Sequence, residues 1–205
     1  MRENVCRGSS MLKIFSLLTI CSLLFSGNLP YNKKAFDRTC SVKFNEKEVT
    51  TIVRDLEYLT IGQLDVLSFV FKACKPYGME NTCMAISYKE SKLGKYLFNT
   101  TTGDYGIMAV NLKTFARVKK MDMNYWKKKE FASRLIIDNS LNISVAIDNL
   151  MYWRKITNDN WKVVWGSYNG GFRPNATYAN HILNTIKALN IYFKKHKDIE
   201  AMIKE

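Results

Sequence analysis

Three short groups of residues in this chain carry side chains that could act together chemically. Glu90-Ser91 closes a largely apolar run that starts at Met84 and stops at Gly94, and Gly106-Ile107-Met108 and Tyr168-Asn169-Gly170 follow further along. Helical spacing in the first run places Glu90 in a last helical turn, where the helix dipole disfavours an ionised carboxylate. Apolar walls would raise its pKa further, so Glu90 could act as a general acid near neutral pH.

Apolar residues at helical spacing predict the elements that must position these groups. A proline and two glycines punctuate them, and residues 118–130, rich in Lys and Met, are predicted to be an exposed basic loop or a frayed helix. No run of alternating polar and apolar residues indicates a strand, so the predicted fold class is mainly α. The predicted helices cover 46–58, 64–73, a stretch from Asn81 or Thr82 through Glu90, 112–117, 142–153, a stretch from Trp161, and 176–189.

Length and composition indicate one ordered domain. The 205 residues are 47% apolar and 13% aromatic, which is enough to build a real core. The formal charge of +13 favours an anionic partner such as nucleic acid, a membrane surface or a cell-wall polymer.

The N-terminus narrows this choice. Lys13 precedes a largely apolar run of twelve residues, 14–25, and a small-residue boundary ends near Gly27, which together predict a secretory signal peptide over 1–27. The alternatives are a retained anchor and, less favoured, a lipoprotein processed at Cys21. Removal of the signal peptide would leave a chain with a formal charge of +11 and no membrane span. The sequence thus predicts an exported protein, periplasmic or cell-wall associated, with secreted and virion-associated forms as alternatives, and it disfavours nucleic acid.

Cysteine and histidine spacing argues against a metal site. His181 and His196 fit no zinc pattern, so neither a metal nor another cofactor is predicted. Three cysteines follow the predicted signal peptide. A turn at 76–78 favours a local disulfide between Cys74 and Cys83, which would leave Cys40 over, and the pairing stays open.

In order and spacing, the motifs resemble those of the lytic transglycosylases of the soluble-lytic-transglycosylase type, relatives of goose-type lysozyme. The resemblance covers about residues 62–190. It implies a lysozyme-like helical domain with a substrate cleft over 61–193, preceded by an N-terminal extension, 28–60, and followed by a charged C-terminal tail, 194–205. The matching pieces are Glu90-Ser91, Gly106-Ile107-Met108-Ala109, Asn142-Ile143, Ser167-Tyr168-Asn169-Gly170-Gly171 and Tyr178.

The resemblance also implies a reaction. The substrate would be the peptidoglycan glycan strand, cut between N-acetylmuramic acid and N-acetylglucosamine with formation of 1,6-anhydromuramic acid. Glu90 would be the general acid and then the base, and the substrate's own N-acetyl oxygen would replace a second carboxylate. Ser91 and Tyr168 would orient the carboxyl or the acetamido group, and Met108 would floor the cleft. Asn169 and Tyr178 complete the predicted substrate-binding set.

One departure from the family pattern keeps other functions open. Ala109 stands where the family usually carries a glutamine, and Asn111 is a nearby amide that could replace it. Asp104 could serve as a second carboxylate in a hydrolysing muramidase, deployed by a phage or a secretion apparatus. Ala109 also motivates a non-catalytic cell-wall-binding module, against which the intact Glu90 argues.

Overall fold

A computed structural model of the chain describes residues 44–99 and 101–205. The predicted signal peptide, the first part of the predicted N-terminal extension and Cys40 lie outside the described residues. No described helix is both long and apolar enough to cross a membrane.

Helices dominate the described chain, which confirms the mainly α prediction. A 3₁₀ turn at Lys75–Tyr77 joins the second and third helices. The helices are α1 (Glu46–Leu56), α2 (Ile61–Cys74), α3 (Glu80–Ser91), α4 (Leu112–Val118), α5 (Tyr125–Ile137), α6 (Asn139–Ile156), α7 (Trp161–Gly170), α8 (Ala176–Lys195) and α9 (Lys197–Lys204), and the strands are β1 (Phe98–Asn99), β2 (Asp104–Tyr105) and β3 (Val110–Asn111).

Helix α3 lies at the centre of the core. Every residue from Thr82 to Tyr88 is buried, because α2 packs on one side of the helix and α8 on another. A helix that is buried on all faces has no polar stripe, and α3 indeed lacks one. The helix α1 packs against α8, so the described part of the predicted extension, 44–60, joins the same core through Val49, Ile52 and Leu56.

The strands were not predicted. They form one antiparallel sheet in the order β1-β2-β3, with Phe98 opposite Tyr105 and Asp104 opposite Asn111. Each strand has two residues, which is too short for an alternating pattern to appear in the sequence. The sheet matters because it carries Asp104.

Three helices differ from their predicted bounds. Residues 125–130 of the stretch predicted to be a basic loop or a frayed helix belong to helix α5, which runs on to Ile137 because Phe131 and Leu135 are buried one turn apart. Helix α6 begins at Asn139, capped by Asp138, rather than at Asn142. The predicted charged tail contains α9, whose Ile203 is 1% exposed in the core.

A disulfide joins Cys74 to Cys83, in agreement with the favoured local pairing. Their Cα atoms lie 6.5 Å apart. The bridge ties the end of α2 to the start of α3 across the 3₁₀ turn. It therefore fixes the base of the helix that carries Glu90.

Candidate active site

Glu90 lies in the last turn of α3. The helix ends at Ser91, not at the glycine that the sequence suggested, because Lys92 (φ 51°) and Leu93 (φ 55°) already adopt the left-handed conformation ahead of Gly94 (φ 85°). This sharp end leaves the Glu90 side chain half-buried at the foot of a cleft. The local dipole disfavours its ionised form, as predicted from its position.

The Glu90 carboxyl is held by Tyr178. The Tyr178 hydroxyl, on the first turn of α8, donates a hydrogen bond of 2.5 Å to Glu90 Oε1. Burial raises the pKa of Glu90, the Tyr178 bond opposes this by lowering it, and the nearby charge of Asp104 adds to the rise. Tyr178 is itself buried, and burial beside Glu90 raises its own pKa, so it stays a neutral donor. The geometry suits a carboxylic acid that gives up and regains a proton.

The cleft extends on both sides of Glu90. One part has a volume of about 830 Å³ and the other about 330 Å³, and Glu90, Asp104 and Ala109 line both. We call these together the Glu90 cleft. The larger part adds Arg117, Asn149, Trp153, Tyr168, Asn169 and Phe172, and the smaller part adds Tyr96, Leu97, Phe98, Asn99 and Gly106.

The loop at 106–109 is clamped by Asn142, which the family resemblance included without a role. The Asn142 side chain is fully buried; its oxygen accepts from the Met108 N–H at 2.8 Å, and its nitrogen donates to the Tyr105 carbonyl at 2.7 Å. Gly106 (φ 79°) passes so close that a Cβ there would lie 2.1 Å from the Asn142 amide nitrogen. Only glycine fits this position.

Ser91 and Met108 do not face the cleft, which corrects their predicted contact with substrate. Both side chains are fully buried. The Ser91 hydroxyl donates to the Ile107 carbonyl at 2.8 Å and accepts from the Gly94 N–H at 2.9 Å. These residues position the walls of the site. Neither the Ser91 nor the Tyr168 hydroxyl bonds the Glu90 carboxyl, which Tyr178 bonds instead.

Tyr168 and Asn169 line the cleft as the last turn of α7. The Tyr168 hydroxyl donates to the Met108 carbonyl at 2.8 Å and so joins α7 to the clamped loop. Burial raises the pKa of Tyr168 well above its ordinary value. Asn169 is exposed, and its side-chain oxygen accepts from Asn175 at 2.9 Å, which leaves its amide nitrogen facing the open side.

Two further polar groups complete the cleft. Asn111 donates to Asp104 Oδ1 at 2.9 Å and to the Thr102 carbonyl at 2.8 Å, so its amide holds Asp104 rather than replacing the missing glutamine. Arg117, which sequence reasoning missed, donates to Asn149 at 2.6 Å and lies 4.3 Å over the Tyr152 ring. Arg117 lines the larger part of the cleft and so places a cation there.

The structure is a mainly helical domain with a half-buried carboxyl, that of Glu90, in a cleft. The sequence model of the transglycosylase SLT domain matches residues 68–188. The chain therefore belongs to the SLT transglycosylase family, whose members are lytic transglycosylases acting on cell-wall peptidoglycan outside the cytoplasm. Comparison with curated proteins and with solved structures returned no match.

Proposed function

We propose that the protein is an exported peptidoglycan lytic transglycosylase with Glu90 as its catalytic residue. The observation that carries this proposal is the half-buried Glu90 carboxyl in the cleft, held by the Tyr178 hydroxyl at 2.5 Å. Burial raises the pKa of this carboxyl, which favours the protonated form that a general acid needs. The family's activity on peptidoglycan supplies the substrate class.

The proposed reaction uses one carboxyl twice. Glu90 donates its proton to the glycosidic oxygen as the bond from C1 of N-acetylmuramic acid breaks, and the substrate's N-acetyl oxygen stabilises the cation. The ionised Glu90, stabilised by the Tyr178 hydroxyl, then takes the proton of the muramic acid 6-hydroxyl. That oxygen bonds to C1, closes the 1,6-anhydro ring and returns Glu90 to its protonated state without water.

The other cleft residues would bind the strand. Tyr168 and Asn169 on one side and Asp104 on the other flank the carboxyl, and Arg117 offers a charged donor to carboxylates of the substrate. Trp153 and Phe172, whose rings meet edge to face at 5.1 Å, form an apolar wall. Such a wall suits the apolar face of a sugar ring.

Asp104 favours a second candidate, a hydrolysing muramidase on the same scaffold. It lines both parts of the cleft with Glu90, so a carboxylate is available to activate water or to stabilise the cation. In the transglycosylase mechanism Asp104 has no proton to move, and its charge raises the pKa of Glu90.

Mass spectrometry of fragments released from purified peptidoglycan tests both candidates. Glu90→Gln should abolish release and keep the fold, as seen by circular dichroism. Fragments ending in 1,6-anhydromuramic acid, and retained by Asp104→Asn, support the transglycosylase. Reducing ends that disappear in Asp104→Asn would establish the hydrolase, and cleavage by Glu90→Gln would overturn both.

A further inference from the structure

A second groove opens next to the Glu90 cleft. It has a volume of about 740 Å³ and lies between the α1–α2 connection and the segment that follows α3. We call it the α1–α2 groove. Among the residues that line it are Asp55, Tyr58, Gln63, Lys92, Lys95 and Tyr96.

Tyr96 connects the two concavities. It lines both the smaller part of the Glu90 cleft and the α1–α2 groove, and its side chain is 60% exposed. Its backbone N–H donates to the Ser91 carbonyl at 2.9 Å, which anchors it directly to the end of the helix that carries Glu90. A linear polymer that leaves the cleft over Tyr96 therefore enters the groove.

The groove is built by specific contacts. The Gln63 side chain donates to the Lys92 carbonyl at 2.9 Å and also completes the capping box with Thr60 at the start of α2. The Tyr88 hydroxyl donates to Asp55 Oδ2 at 3.2 Å, and Lys92 Nζ lies 4.0 Å over the Tyr88 ring. These bonds fix the floor without occupying the side chains at its rim.

The rim offers aromatic rings and a cation. Tyr58 is 80% exposed, and Lys95 is exposed with its ammonium 5.5 Å from the Tyr96 ring. Tyrosine rings present an apolar face and a polar tip, a combination that suits sugar rings. A lysine at the same rim suits the carboxylates of an anionic polymer.

One wall of the groove precedes the family domain. The family match begins at residue 68, whereas the wall from Asp55 to Val66 lies before it in the sequence. The groove is thus formed by joining this earlier segment to the end of α3. It gives α1 and the start of α2 a role beyond completing the core.

We propose that the α1–α2 groove binds the stretch of peptidoglycan strand that runs on from the cleft past Tyr96. Tyr58 and Tyr96 contact sugar rings there, and Lys95 pairs with carboxylates of the attached peptides. The identity of the strand rests on the proposed function. The groove thereby makes long strands better substrates than short oligosaccharides.

Binding measured without cleavage tests the groove. In a Glu90→Gln background, the changes Tyr58→Ala and Lys95→Ala together should weaken binding of long glycan strands about tenfold, the equivalent of one hydrogen bond to a charged group. Binding of a tetrasaccharide, which fills only the cleft, should not change. The matched control carries Tyr77→Ala and Lys72→Ala, two exposed residues at the opposite end of α2. It should bind both ligands like its parent.

The outcomes separate the groove from the proposed function. The proposed role of the α1–α2 groove would be overturned if the Tyr58/Lys95 variant bound long strands as tightly as its parent. It would also be overturned if the variant lost affinity equally for both ligands, or if the Glu90→Gln parent bound no long strand. Failure of the intact enzyme to release fragments would count against the proposed function alone, because a selective loss of long-strand binding is measured without catalysis.

Discussion

Replacing Tyr178 by phenylalanine removes the hydroxyl that bonds Glu90, the proposed catalytic carboxyl, and keeps the buried ring. The bond to Glu90 Oε1 is 2.5 Å long, and water has little access to replace it because Tyr178 is buried. A hydrogen bond to a charged group contributes about 1.5–3 kcal/mol, and this bond strengthens as Glu90 loses its proton. We therefore expect kcat/KM to fall roughly 10- to 100-fold in Tyr178→Phe.

The pH profile distinguishes this effect from lost packing. The Tyr178 hydroxyl lowers the pKa of Glu90 against the rise caused by burial and Asp104, so its removal raises that pKa further. In the proposed mechanism Glu90 must be protonated to start the reaction, so its loss of that proton sets the alkaline limb of kcat/KM. The limb should therefore move to higher pH in Tyr178→Phe.

Tyr168→Phe is the matched control in an assay of fragment release across pH. It deletes a hydroxyl that bonds the Met108 carbonyl, so stability should fall by about 1 kcal/mol with the alkaline limb unmoved. An unchanged kcat/KM and an unmoved limb in Tyr178→Phe would refute the assigned role of Tyr178. A lower kcat/KM in Tyr178→Phe with an unmoved alkaline limb would mean that Tyr178 acts through packing and not through its bond to Glu90.

Two further predictions concern stability and are read from denaturant unfolding. Gly106→Ala places a Cβ 2.1 Å from the Asn142 amide at a positive φ and should lower the free energy of unfolding by roughly 3 kcal/mol or more. Gly62→Ala, which has open space around it in a helix, should be neutral or stabilising. Equal effects of the two changes would contradict the role of Asn142 in holding the loop. Replacing Cys74 and Cys83 by serine should cost about 2–3 kcal/mol, from the loop entropy that the disulfide removes, and reductant should reproduce the loss in the unaltered protein.

Helical periodicity predicted the fold because most helices bury one apolar face. It located α8 from Ala176 onward and the helix that carries Glu90. It left α5 open between a basic loop and a frayed helix, because three lysines, 127–129, precede its two buried residues, Phe131 and Leu135, and it did not predict two-residue strands, which show no period. These elements owe their structure to contacts with distant parts of the chain, which a local pattern does not contain.

At the site, too, the sequence predicted which residues take part but not which contacts they make. Glu90 and Ser91 are neighbours in the motif, yet adjacent residues on a helix point about 100° apart, so the carboxyl faces the cleft and the hydroxyl faces the core. The partner of Glu90 is Tyr178, 88 positions away. Sequence could identify Tyr178 as a member of the set, but only the packing of α8 against α3 determines which atom it touches.

Ala109 shows why the loss of a family side chain does not by itself argue for an inactive domain. Its backbone is left-handed (φ 48°), and it lines the cleft beside Glu90. The loop is held by the Met108 backbone, which bonds Asn142 through its N–H and Tyr168 through its carbonyl. Because the side chain at 109 takes no part in these bonds, alanine leaves the loop and Glu90 in place and changes only what reaches the substrate. The substitution is therefore compatible with the proposed enzyme and does not by itself support a binding module.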